Sequence, residues 1–222
     1  MPNSYFVPID IYCERLGPGF WAEPLNALSN ASFIVAAWLL WRLARSRAAG
    51  VGWQAGWLIG LVAAIGVGSF LFHTLAVRWA MLADVIPISI YQLSFIGLYC
   101  RTVARLSAMR VVVCLAAFIA ASAAFGMLPQ HWFNGSLAYG PALVFITAIG
   151  VYHRLSGKHE PQLMLLAAGL FAVSLTFRSL DMALCEQLTV GTHVVWHLLN
   201  GLLLYLTTRA FLVNPEPGSL SG

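Results

Sequence analysis

The chain has 222 residues, 60% of them hydrophobic and only 9% charged, with a formal net charge of +4. A mean hydropathy of +0.80 is more apolar surface than a water-soluble domain can bury, so a soluble protein is excluded. The small positive charge is spread along the chain and marks membrane topology, not affinity for nucleic acid.

Apolar stretches of about 20 residues each suffice to cross a bilayer. Seven are expected in chain order, at residues 26–44, 53–75, 80–100, 110–128, 137–153, 162–181 and 192–212. They nearly exhaust the sequence and predict an all-α, seven-transmembrane helix bundle in one domain. Residues 1–25 form an outer segment, 26–212 the bundle, and 213–222 (NPEPGSLSG with the preceding valine) a flexible cytoplasmic tail. Arg42, Arg45 and Arg47 follow the first span, Arg101, Arg105 and Arg110 the third, Arg154 and Lys158 the fifth, and Arg209 closes the seventh. Only Arg15 and Arg78 fall on the other side, which puts the N-terminus outside and the C-terminus in the cytoplasm. No cleavable signal is expected, since Asp10, Glu14 and Glu23 interrupt the first 25 residues. The Ala-rich composition and preference for arginine over lysine suggest a bacterial inner membrane.

Within this apolar sequence the polar residues stand out by depth. His73 falls near the outer end of the second span, Asp84 near the outer start of the third, and His193 and His197 in the first turns of the seventh. Ionisable groups at membrane depth are costly, so three histidines at one level call for a shared partner. Two of them, four apart in HVVWH, share one helix face. With a third from another helix they can grip one zinc ion and leave a position open for water. The segment lacks the glutamate of HExxH, so a base must come from elsewhere, and Asp84 is the nearest candidate. Asp84 admits three roles: fourth ligand, orienter of a histidine, or base. Ser69, one turn before His73, either donates to substrate oxygen or packs as an ordinary membrane-helix serine. His131, His153 and His159 fall in or beside predicted loops and need no metal.

Three of the eight acidic residues, Asp10, Glu14 and Glu23, gather in PIDIYCERLGPGFWAEPLN. They are either oxygen ligands for calcium or a solvated outer segment with a capping role. Cys13 and Cys185 both fall on the outer side, where an oxidising compartment permits a disulfide; two unpaired thiols are the alternative. Arg178 and Asp181, three apart in the sixth span, are expected to pair. The eight tryptophans lie near helix ends, as interfacial anchors do.

Four blocks in this order resemble the alkaline ceramidases: DIYCE with WAEPLNALSN, GSFLFHTL with Asp84 eleven residues after His73, the DMALCE segment, and HVVWH. These are seven-span zinc amidases of the superfamily that also holds the progestin and adipoQ receptors and the haemolysin III-like proteins. The resemblance implies zinc on His73, His193 and His197, an active site containing Ser69 and Asp84, and a Cys13–Cys185 bridge. It also implies calcium held by Asp10, the Tyr12 carbonyl, Glu14 and Glu23, although Asp10 is offset by one residue and Leu16 stands where the family has asparagine. The implied reaction is hydrolysis of the amide of ceramide or a similar N-acyl lipid to a fatty acid and a long-chain amine. A zinc receptor or haemolysin III-like protein without amidase activity, and a transporter using the histidines as a proton relay, are the alternatives.

Overall fold

A computed structural model describes residues 4–47, 50–129 and 131–214, so most of the expected tail, from residue 215 on, lies outside the described residues. Eight α-helices follow in order among the described residues: α1 Pro24–Ser29, α2 Ala31–Arg45, α3 Trp53–Leu75, α4 Arg78–Leu98, α5 Ala108–Gly126, α6 Gly140–Leu155, α7 Leu163–Leu180 and α8 His193–Leu212. Pro24 opens α1 at a position where its missing N–H costs nothing. The Ser107 side chain caps α5 by accepting from the Arg110 amide.

Among the described residues, six stretches are long and apolar enough to cross a membrane: Pro24–Arg45, Trp53–Leu75, Arg78–Val103, Ala108–Gly126, Trp132–Leu155 and Leu163–Leu180. The count differs from the expected seven at α8, which has 20 residues but is less apolar. Its His193, His197, Asn200, Thr207 and Thr208 are all buried. The helix packs against α2 and α7 and touches α3, so its polar face is turned into the bundle rather than toward lipid. Conversely, α5 buries only Phe118 and shows Val112, Val113 and Ile119 on its surface, the pattern of a lipid-facing helix. Trp38, Trp41, Trp53 and Trp57 are all exposed, as interfacial anchors must be.

The closest pairing is α3 with α4. Ala76 ends α3 in the left-handed conformation, with φ of 46°, and Arg78 starts α4 two residues later. The N-terminal segment lies across this turn. Pro8 and Val77 form an isolated antiparallel bridge, Ile9 N donates to Ala76 O at 2.7 Å and Arg78 N to Val7 O at 3.2 Å. At the opposite end of α4 the helix widens into a π-turn over Tyr99–Val103. There His153, fully buried in the last turn of α6, bonds the Tyr99 hydroxyl through Nδ1 at 2.6 Å.

Candidate metal centre and its cavity

α3 brings His73, and the first two turns of α8 bring His193 and His197, to one point. One nitrogen of each ring lies within 4.8 Å of the others, and all three rings are buried. Among the described residues this is the one group of three or more histidine, cysteine or carboxylate side chains so arranged.

The hydrogen bonds behind the rings fix which nitrogen is free. His73 Nδ1 lies 2.6 Å from Glu23 Oε2; the carboxylate only accepts, so Nδ1 carries the proton and Nε2 keeps its lone pair. His197 Nδ1 lies 2.7 Å from Ser29 Oγ. That hydroxyl spends its single hydrogen on Asn26 O at 2.8 Å, so it accepts from Nδ1–H and leaves Nε2 bare. His73 Nε2 and His193 Nδ1 are buried and have no hydrogen-bond partner. A buried, unpartnered imidazole nitrogen is expensive in an apolar bundle. Three converging imidazoles, two of them backed by acceptors on the far side of the ring, suit a soft-to-borderline divalent cation, and zinc fits this donor set.

Tyr12 stacks on His193 with ring centroids 3.8 Å apart. Asp181 fixes the start of α8: its Oδ1 accepts from Thr192 N at 2.7 Å and His193 N at 2.9 Å, and its Oδ2 from Cys13 N at 3.1 Å. A carboxylate at a helix N-terminus also opposes the helix dipole favourably. Gly191 makes this possible: at φ of +70° its Cα sits so close that a Cβ would meet Asp181 Oδ1 at 2.2 Å. The Cys13–Cys185 disulfide is formed, with Cα atoms 5.4 Å apart, and fastens the N-terminal segment to the loop before α8.

The expected Arg178–Asp181 pair is therefore not made, because Asp181 is engaged by the three amides. Arg178 turns inward instead. It donates to Asn134 O and, at 3.3 Å, to Ser136 Oγ, and lies over the Tyr139 and Trp196 rings. Sequence reasoning missed Ser29 and Arg178 as site residues, and placed Glu23 with calcium rather than behind His73.

Ser69 and Asp84 both line the cavity where α3 and α4 touch. Two backbone features permit this contact. Pro87 lies inside α4 and has no N–H for the carbonyl four residues earlier, that of Ala83. Gly68 presents its bare Cα to that same oxygen; a Cβ there would meet Ala83 O at 2.0 Å. A cavity of about 110 Å³ runs from this pair into the bundle, lined by Ser69, Asp84, His193, His197 and Arg178 among mostly apolar side chains such as Phe171. It is shaped for a molecule with one polar group and an apolar remainder.

The residues expected to hold calcium are not gathered in the same way. Asp10 is exposed. Glu14 Oε1 accepts from Leu25 N at 2.7 Å and Oε2 from Asn26 N at 2.8 Å, capping α1. Glu23 divides its oxygens among Arg15, Asn26 and His73. Burial pushes the Glu23 carboxyl up, yet its bonds to His73, Arg15 and Asn26 outweigh this and hold its pKa below the ordinary value. The Leu16 side chain, 87% exposed, offers no oxygen. This donor set does not fit a calcium ion.

Comparison with known proteins places residues 13–213, most of the chain, in the family described as Ceramidase. No curated protein matches the chain.

Proposed function

The chain belongs to the ceramidase family, and on that premise we propose that it is a zinc-dependent amidase working inside the membrane on ceramide or a related N-acyl lipid. The observation that carries this reading is the pair of acceptors behind His73 and His197, which leaves bare nitrogens converging at the head of the cavity. His73, His193 and His197 would hold the ion. Zinc, when bound, supplies a Lewis acid and makes water a nucleophile near neutral pH.

The remaining chemistry belongs to the chain. Asp84 accepts the proton of the attacking water as its oxygen bonds to the amide carbon, and returns it to the nitrogen as the C–N bond breaks. The products are a fatty acid and a long-chain amine. Ser69 orients the Asp84 carboxylate and turns its O–H toward the substrate oxygen as negative charge develops there. Arg178, stacked in the cavity wall, places positive charge near the carboxylate that hydrolysis releases. Phe171, Phe118 and Ile146, also in the lining, keep water from the acyl chain.

The proposed topology has seven spans, α8 being the seventh, with the N-terminus outside. It draws support from the arginine distribution and from the Cys13–Cys185 bridge, which belongs to an oxidising compartment. The site then faces the outer, periplasmic side of a bacterial inner membrane.

The test is purified protein in detergent with a panel of N-acyl lipids, reading released fatty acid and bound zinc together. The wild type should release fatty acid and contain zinc, and His197→Ala should lose both. Full activity with stoichiometric zinc in His197→Ala would refute the assignment.

A further inference from the structure

Arg15 is a buried cation in the midst of the N-terminal carboxylates, at 7% exposure, beside Glu23 at 2%. Its guanidinium donates through Nε to Glu23 Oε1, through Nη1 to Gly17 O at 3.1 Å, and through Nη2 to His73 O at 2.9 Å. One planar fork thus joins the outer segment, the carboxylate behind His73, and the backbone of His73 itself. Nothing in the metal reading above uses it.

Two buried carboxylates with no compensating charge would be costly, and a divalent cation is one way to offset that cost. Here another is present. Glu14 is satisfied by two backbone amides at the start of α1, and Glu23 by the Arg15 guanidinium. A calcium ion needs six to eight oxygens, and in this place it would face a guanidinium with little water to screen the repulsion.

We infer that Arg15 is the resident cation of this carboxylate set, standing in for the calcium that the resemblance implies, and that it acts through Glu23 as a positioning residue for the His73 imidazole. The second half rests on the metal reading; the first does not.

Purified full-length protein, dialysed against calcium chloride and then washed, separates the two halves by elemental analysis and thermal melting. Wild type is expected to retain no calcium and to melt at the same temperature with and without millimolar calcium chloride. One calcium per chain, or a melting temperature raised by calcium, overturns the first half.

For the second, zinc affinity is measured by competition with a chelator. Arg15→Gln, which loses both the charge and the fork, should bind zinc about 10- to 100-fold more weakly, the usual loss on removing support behind a ligand. Arg15→Lys, which keeps the charge and loses the fork, should fall between the two. Wild-type affinity in Arg15→Gln overturns the positioning role. If that variant does not fold, wild-type affinity in Arg15→Lys does so instead. A wild type without zinc would refute the metal reading while leaving the calcium measurement decisive.

Discussion

Gly68→Ala adds one methyl group at the α3–α4 contact and tests whether the approach of those helices sets the reaction geometry. The new Cβ would lie 2.0 Å from Ala83 O, whereas ordinary contact begins at 3.4 Å, so α4 must retreat from α3 by about 1.4 Å. The obstacle is backbone, and no rotamer change relieves it. Overpacking of this kind costs about 1–3 kcal/mol of stability. The larger effect is on chemistry. Asp84 follows Ala83 and moves with α4, while Ser69 follows Gly68 and stays with α3, so the two side chains are drawn apart in the cavity they share. A misplacement of about 1 Å at reacting groups costs on the order of 100-fold in rate. The three histidines lie on α3 and α8, so bound zinc should stay at the wild-type level. The assay is kcat/KM on a fluorescent N-acyl lipid, beside zinc content and a melting curve. In a Ser69→Ala background the same substitution should cost much less, since one of the two groups it separates is already gone. A folded, zinc-loaded Gly68→Ala protein with wild-type kcat/KM would refute the reasoning. Loss of zinc along with activity would do so too, by showing that the methyl group acts through the ligands.

Ser29→Ala strips the acceptor from His197 Nδ1 and leaves a buried N–H unpaired, at about 1–3 kcal/mol; zinc affinity by chelator competition should fall about 10- to 100-fold, and an unchanged affinity would show that Ser29 does not orient the ring. Gly191→Ala forces a side chain into a left-handed backbone and against Asp181, costing more than about 1 kcal/mol. It should lower the melting temperature and zinc content together, and a variant that keeps both contradicts the role given to the α8 start. At the other end of the bundle, the hydrogen bond from Arg209 holds the Glu160 carboxyl below its ordinary pKa, with burial opposing weakly. A depressed carboxylate stabilises above its unfolded pKa, near 4.5, and that contribution is lost as pH falls through the folded value. The pair is partly exposed, so it is worth at most about 1 kcal/mol. Melting of Glu160→Gln against pH should show a smaller difference from wild type below pH 4.5 than at pH 7; a constant difference refutes the linkage.

The candidate site residues were legible in the sequence because membrane depth is nearly one-dimensional: His73, Asp84, His193 and His197 each lie a countable number of residues from the end of an apolar run. The boundaries of α3 follow for the same reason, residues 53–75 being both the expected and the observed span. What depends on rotation about the helix axes, or on contact across the bundle, was not legible. Ser29 meets His197 across 168 positions of sequence, and Glu23 meets His73 across 50; no local pattern encodes such a meeting. Arg178 and Asp181 have suitable spacing and opposite charge, yet three amides outbid the arginine for the carboxylate. The count of spans stands at six by length and composition, with α8 left over, for a related reason. α8 is the least apolar of the long helices because it is enclosed by others, and hydropathy alone does not separate an enclosed helix from a short-lived excursion into the interface. Calcium was expected from the identity of Glu14 and Glu23, but the cation between such carboxylates can equally be a side chain one residue away.

The disulfide gives the protein a timetable. Glu23 and Tyr12 are made before the first span and His193 and His197 with the last, and Cys13 is joined to Cys185 across 172 positions. A nascent chain therefore lacks the three-histidine cluster until α8 has been made. The three histidines come together only after synthesis is nearly complete, and the final clasp waits for oxidation of the two cysteines. A chain truncated before α8 therefore lacks two of the three clustered histidines.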